Sequence, residues 1–382
     1  MLSQTVESID GFALAKLADL ERDKLYRSLK PTHRTPNARA TRGGTELISF
    51  SDNDYLGLSQ DPRVKKAAAD AALRYGAGSG ASRLVTGDCP LYAALESALA
   101  RMKKTEAALV FGSGYLANVS TIPTLVGPGD LIVLDELSHS CLFAGARLSG
   151  AQIETFRHND VEDAKRLLAL PCDGRRLLLT ETIFSMDGDL APLAELQMAC
   201  TEAGAWMMTD DAHGFGVIES DNAAPIQMGT LSKAAGSYGG YVCGPRSLVE
   251  LLVNRARGLI YTTGLPPAAL GASIAALEII DHEPQRAVKA MENAALFCEL
   301  IGAPPPESVI VPVILGDETV ALDASERLLA QGLLVTAIRP PTVPPGTARL
   351  RISFSTDHKT VDIRKLAEAT NQILGQSKRT AP

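Results

Sequence analysis

No C-x-x-C pair occurs in this sequence, and its six cysteines (Cys89, Cys141, Cys172, Cys200, Cys243 and Cys298) are scattered, several inside apolar runs. That pattern argues against a disulfide framework and against a zinc site, and reads them as reduced core residues. No metal is expected. Nor is there a run of lysine and arginine: 37 basic and 44 acidic residues are mixed along the chain, for a net charge of −7. Nucleic acid and membrane surfaces are therefore not expected partners, whereas a small-molecule substrate is. The N-terminal region carries Asp10, Glu21 and Asp23 and lacks the apolar segment of a signal peptide. The longest helical apolar stretch, near Leu270 to Ile280, is far short of a membrane span. The expected compartment is the cytosol. Internal repeats and low-complexity segments are also missing.

What is present is a chain of 382 residues, 46% hydrophobic and 21% charged, the composition of a globular protein too long for one ordinary core. Residues 1–50 read as an N-terminal helix and arm. An amphipathic pattern (Phe12, Leu14, Leu17, Leu20, Leu25) gives way to a polar stretch rich in Arg, Thr and Gly. Residues 51–282 read as a large domain. Short apolar runs (Ala107–Phe111, Leu131–Leu134, Leu177–Leu179, Trp206–Met208, Tyr241–Cys243) alternate there with helical segments such as Pro90–Arg101, Val161–Leu170 and Pro192–Ala203. Such alternation predicts an α/β fold with a mostly parallel sheet flanked by helices. Residues 283–382 read as a smaller α+β domain. Its expected strands are Val309–Leu315, Leu333–Ala337 and Leu350–Phe354, and its helices Ser325–Gln331 and Val361–Ile373, with prolines 304–306 and 340–341 marking connections.

Polar clusters follow the runs: Gly112–Gly114, Asp135, Glu181–Ser185, Asp210–His213 and Gly244. In open α/β sheets ligands bind beyond the carboxyl ends of strands, so the five clusters predict one shared site. In TLSKAAGSYGG (Thr230–Gly240), small residues surround Lys233. Such a setting suits a partly desolvated, nucleophilic amine, although a glycine-rich turn with an exposed lysine has the same sequence. TDDAHG (Thr209–Gly214) places Asp210 where a buried carboxylate would keep a pyridine nitrogen protonated, with His213 one turn on; a loop cap and a core histidine are the plain alternative. The interval from Asp210 to Lys233 leaves room for a loop and one strand, so both can face one ligand from adjacent strand ends. FGSGYLAN (Phe111–Asn118) is a glycine-rich turn whose free N–H groups, at Gly114 and Tyr115, suit an anion. DELSHSCL contributes His139, able to stack on a flat ring. ETIFSMDGD contributes Glu181 and Ser185, its second half being equally good as a tight turn.

In chain order these elements, with SDNDYLGL (Ser51–Leu58, Asp52 standing in for the usual second serine), GSGASRLVTG (Gly78–Gly87) and HNDVEDAKRLL (His158–Leu168), resemble the α-oxoamine synthases. These are fold-type I pyridoxal-phosphate enzymes that join an amino acid to an acyl-CoA with release of CO2. The resemblance runs from about Arg27 to Arg351. It implies pyridoxal 5'-phosphate carried on Lys233, with Asp210 at the ring nitrogen and His139 stacked on the ring. Ser185 and His213 would lie at the phenolic oxygen, with Glu181 nearby, and Gly114, Tyr115 and Thr230 at the phosphate. Thr262 and Thr263 would reach the phosphate of a partner subunit in a homodimer with shared sites. Arg351 would clamp the amino-acid carboxylate, and Arg27, Asn53 and Thr342 would lie near the substrates. TAIRPPTVPPGTARLRIS (Thr336–Ser353) is most similar to the branch that condenses L-alanine with pimeloyl-CoA, or a pimeloyl carrier protein, in biotin biosynthesis. The glycine-using ketobutyrate branch is the nearest rival, followed by an aminotransferase and by a non-catalytic relative. One departure is visible: Glu219–Ala224 replaces a longer loop.

Overall fold

In the computed structural model, which describes residues 8–22, 25–219 and 221–380, the expected apolar runs become strands of one sheet. Three short strands precede it: β1 (His33–Thr35), β2 (Arg39–Arg42) and β3 (Thr45–Ser49). The large sheet contains β4 (Ala107–Phe111), β5 (Leu131–Asp135), β6 (Gln152–Phe156), β7 (Arg176–Glu181), β8 (Trp206–Asp210), β9 (Ile226–Thr230) and β10 (Gly240–Gly244). Their spatial order is β4-β10-β9-β8-β7-β5-β6. Strands β9, β8, β7, β5 and β6 pair in parallel, while β10 runs antiparallel to both β4 and β9.

Helices cover both faces of this sheet, so its central strands need not alternate apolar and polar residues. Leu177, Leu178 and Leu179 of β7 are all 0% exposed, Leu178 facing one apolar cluster and its two neighbours the other. Leu179 packs with Ile132, Leu134 and Met208, and Leu179→Ala should leave a void there, costing about 2–5 kcal/mol. Urea unfolding is the check: the midpoint should fall with little change in slope, and an unmoved midpoint would mean that the strand is not central.

Beyond the large sheet, β11 (Ile310–Gly316), β12 (Leu333–Leu334), β13 (Thr336–Ile338) and β14 (Ala348–Ser353) follow. The antiparallel order β11-β14-β13 forms the small sheet, backed by the helices Gln285–Ile301, Glu318–Ala330 and Thr360–Thr380. The run Leu333–Ala337, expected as one strand, is two. Strand β12 pairs in parallel with β3 and β13 pairs with β14, so the chain changes sheets at Val335. The polar stretch after the N-terminal helix is likewise sheet, joined to the C-terminal region through β3 and β12. The helix itself, Ile9–Arg22, buries none of its side chains in the single chain, and Leu25 lies past its end. Cys141, Cys200, Cys243 and Cys298 are buried and Cys89 and Cys172 half-buried, all with free thiols. Among the described residues no helix is long and apolar enough to cross a membrane.

The strand directions correct one sequence expectation. Gly244 ends β10, which runs against its neighbours, and it pairs with Ala107 at the start of β4. It therefore lies at the edge opposite the other four clusters. Gly240, the first residue of β10, is at their edge, paired with Thr230 on one side and Phe111 on the other.

Candidate active site

Strands β5, β7, β8 and β9 end at Asp135, Glu181, Asp210 and Thr230, side by side on the carboxyl edge. Asp210 is 3% exposed. Its Oδ2 accepts from Asn118 Nδ2 at 2.8 Å, and its Oδ1 accepts from the Ala212 N–H at 3.0 Å, so both oxygens are held. Asn118 projects from the helix Gly114–Leu125, which the glycine-rich turn after β4 begins.

Lys233 follows β9 within a turn closed by backbone bonds from Leu231 N–H to Gly239 O (2.9 Å) and from Gly236 N–H to Lys233 O (2.8 Å). Gly236 has φ +60, and a Cβ there would come within 2.2 Å of the Ser59 nitrogen; only glycine lets this turn seat against the Leu58–Ser59 backbone. Burial pushes the Lys233 amine below its ordinary pKa. The negative charges of Asp210 and Glu181 oppose that shift and Arg351 adds to it. Lys233 Nζ makes no hydrogen bond or ion pair among the described residues. An amine so placed is biased toward its neutral, nucleophilic form.

His139 caps the helix Ser140–Ser149, its Nδ1 accepting from the Cys141 N–H at 3.2 Å. Its own N–H donates to Glu181 Oε1 at 2.5 Å. Burial, reinforced by Lys233 and opposed by Asp210, lowers the pKa of His139. Burial and then the charge of Asp210 raise Glu181 well above the carboxylate range, despite that amide bond. His213 is buried with its Nδ1 2.6 Å from Tyr55 Oη. Burial first, then any positive charge on Lys233 and that of Arg351, hold it well below the usual histidine range, which favours the neutral imidazole. Desolvation raises the Tyr55 phenol.

Arg351, on β14, is 7% exposed. Nε donates to Ser185 O (2.5 Å), Nη1 to Ser353 Oγ (2.8 Å) and Asn53 Oδ1 (3.3 Å), and Nη2 to Tyr55 Oη (3.4 Å). Every acceptor is neutral, and among the described residues no carboxylate pairs with this guanidinium. A buried cation without a counter-charge is costly, and an incoming carboxylate would relieve that cost. At the other end of the site, Ser113 Oγ accepts the Leu116 N–H at 3.1 Å. The helix geometry leaves the Gly114 and Tyr115 N–H groups without intrahelical acceptors. Thr230, whose Oγ1 donates to Gly239 O at 2.8 Å, lies against Gly114: a Cβ on that glycine would sit 3.4 Å from Thr230 Cβ.

These residues fit a flat, phosphorylated, cationic-ring cofactor that can react with an amine. A free amine, a fixed carboxylate, a helix start with open N–H groups and a close glycine contact converge on one edge. Lys233, Asp210, His139, Glu181, Ser185, His213, Thr230, Gly114, Tyr115, Asn53 and Arg351 are therefore brought together. Arg27 and Thr342 are exposed, Thr342 N–H donating to Arg339 O at 3.1 Å. Thr262 and Thr263 are half-buried and exposed, Thr263 forming a bridge with Ser82. None of these four bonds to the cluster. Sequence reasoning missed Tyr55, Asn118, Cys141 and Ser353 as site neighbours, although each lies within a motif singled out for its other residues. A cavity of about 1050 Å³ lies elsewhere: Lys103, Asp211, Gln227 and Gly244 line it, along with residues of the shortened Glu219–Ala224 segment.

Known proteins give the same picture. The family described as aminotransferase class I and II matches residues 45–369. The 8-amino-7-oxononanoate synthase of Methylorubrum populi is 56% identical over 376 residues, spanning 98% of this chain and 97% of the relative. A solved structure of serine palmitoyltransferase from S. paucimobilis with PLP–myriocin bound superposes with a TM-score of 0.90 at 27% identity, covering 98% of this chain and 100% of that one. The crystal structure of 8-amino-7-oxononanoate synthase from Francisella tularensis gives a TM-score of 0.75 at 25% identity, over 87% and 99% of the two chains. On a match across most of its length and on that identity to a curated relative, the chain belongs to the class I and II aminotransferase family and, within it, to the 8-amino-7-oxononanoate synthases.

Proposed function

We propose that this chain condenses L-alanine with a pimeloyl thioester, giving 8-amino-7-oxononanoate, CO2 and the free thiol of CoA or of a carrier protein. The observation that carries the reading is the Lys233 amine, unpaired among the described residues, lying on the same strand edge as Asp210, with Arg351, likewise without a carboxylate partner among them, beside Ser185. Pyridoxal phosphate, once bound, supplies an electron sink for negative charge developing at the amino-acid Cα. The remaining work falls to the chain. Lys233 holds the cofactor and, when free, takes the Cα proton and later returns one. Asp210 contributes a fixed negative charge that keeps a ring nitrogen protonated. Gly114, Tyr115 and Thr230 bind phosphate, His139 offers its imidazole face to the ring, and Ser185, His213 and Glu181 surround it. Arg351, with Asn53, receives the carboxylate of alanine and orients its Cα.

The reading includes a cytosolic homodimer in which Thr262 and Thr263 face the partner's phosphate, with Arg27 and Thr342 at the substrate entrance. Exposed apolar side chains at Leu84, Val85, Tyr115 and Tyr261, and the unburied face of the N-terminal helix, favour such a contact.

Product mass analysis tests the proposal. Holoenzyme mixed with alanine and pimeloyl-CoA should yield 8-amino-7-oxononanoate with one CO2 and one CoA released. Glycine should be used at least ~10-fold less well, the scale of one methyl group in a fitted pocket. Faster turnover of glycine with acetyl-CoA would move the chain to the ketobutyrate branch, and amino-group exchange without CO2 would make it an aminotransferase.

A further inference from the structure

The motif HNDVEDAKRLL has no part in the site described so far, yet its first residue is unusually placed. The ring of His158, just past β6, lies between two carboxylates. Nδ1 donates to Asp135 Oδ1 at 3.0 Å and Nε2 donates to Asp189 Oδ2 at 2.7 Å. Ionised carboxylates only accept, so this placement favours hydrogen on both ring nitrogens and a cationic ring. Asn159, in the left-handed conformation (φ 56), ties the same pieces. Its N–H donates to Asp135 Oδ2 (2.9 Å), and its amide donates to Asp189 Oδ2 (3.0 Å) and Leu190 O (3.1 Å). The Phe184 ring meets the imidazole edge-on at 4.3 Å between centroids.

Asp189 belongs to the turn Ile183–Leu190, whose ends form a bridge. The far side of that turn touches the small sheet at three points. The Ser185 carbonyl accepts Arg351 Nε, Asp187 pairs with Arg349, and Gly188 (φ 75) sits where a Cβ would come within 2.1 Å of Ile310 O. The turn is thus anchored on one side to the end of β5 through a histidine cation and on the other to the arginines of β14.

We propose that His158 is a positioning residue: its protonated ring fixes the Ile183–Leu190 turn and, through the Ser185 carbonyl, sets where Arg351 presents its guanidinium to the amino-acid carboxylate. This rests on the reading of Arg351 given above. The charged groups around the ring are Asp135, Asp189 and Glu136, whose Oε1 accepts the His158 N–H at 3.0 Å. Arg157 is turned to Asp160 and Asp163, and Glu307 accepts the Leu190 N–H. Burial alone would lower the ring's pKa, but the bonds to Asp135 and Asp189 more than reverse it, raising it to about 10. With a folded pKa above the unfolded one, the stability from this pair is complete below about 6.5 and is lost progressively as pH rises towards 10.

The test uses holoenzyme of the wild type, His158→Gln and Asp189→Asn. Alanine affinity is read from the change in cofactor absorbance without acyl donor, and the His158 ring from NMR of ¹³C-histidine-labelled protein. Both variants should bind alanine about tenfold or more weakly while kcat at saturating alanine stays within roughly threefold. The wild-type ring should not titrate between pH 6 and 9. A ring midpoint near 6.5, or unchanged alanine affinity in Asp189→Asn, overturns the proposal even if His158→Gln fails to fold. Absence of any alanine response in the wild type overturns instead the reading of Arg351, which the ring titration does not depend on.

Discussion

Lys233→Ala should abolish turnover, lowering kcat by at least about 10⁴-fold, while the protein stays folded. Proton transfer by a positioned side chain contributes roughly 10²–10⁴-fold, and loss of the covalent anchor for the cofactor adds to that. The fold should survive because, among the described residues, Lys233 Nζ makes no hydrogen bond that the substitution would break. The turn around it is held by its own backbone bonds and by the fit of Gly236 against Leu58 and Ser59, none of which needs the amine. Removing a desolvated amine relieves a burial cost, so the unfolding midpoint of the cofactor-free protein should match or slightly exceed that of the wild type. In the parent enzyme, borohydride treatment followed by peptide mapping should place the cofactor's mass on the peptide carrying Lys233, and the variant should yield none. A variant that turns over, or a label on another lysine, would remove the assignment.

The parts of this architecture that could be read from sequence share one property: their signal is local. Leu131–Leu134 and Leu177–Leu179 are apolar without alternation because both faces of their strands are covered, and a continuous run needs no partner to be recognised. Asp210 and Glu181 stand just after such runs, and the interval from Asp210 to Lys233 leaves room for one strand, so their common edge followed from order along the chain. What escaped was non-local. An apolar run reads the same in either direction, so nothing in Tyr241–Cys243 revealed that β10 runs antiparallel and carries Gly244 to the far edge. Strands β1 to β3 are short and polar, and their sheet is completed by β12 from the other end of the chain. Tyr55 takes its place in the site through His213 and Arg351, two residues remote in sequence, and no motif spacing encodes such a meeting. His158 was visible only as part of a family likeness, because its two carboxylates come from different connections.

Asp210→Asn should reduce kcat/KM about a thousandfold while leaving the site's shape in place. Two unit charges about 4 Å apart interact by roughly 4 kcal/mol at an effective dielectric near 20, and that energy corresponds to about three powers of ten in rate. The amide keeps the size of the carboxylate but loses its charge, so a ring nitrogen facing it would no longer be held protonated. The substitution also turns one acceptor into a donor, which would leave either the Ala212 N–H or Asn118 Nδ2 facing another N–H. Asn118 can absorb that change. Its Oδ1 is buried without a partner among the described residues, and rotating the amide would offer this oxygen to the new donor. The unfolding midpoint should therefore move little, which separates loss of charge from loss of structure. Asp210→Ala lacks that compensation: it should be at least as inactive and also less stable, since the Ala212 N–H would lose its acceptor and Asn118 Nδ2 would keep only the weak one at Cys141 Sγ. Wild-type kcat/KM in purified Asp210→Asn would show that the carboxylate at the end of β8 does not face the reacting ring, and the site would have to be sought elsewhere on the sheet.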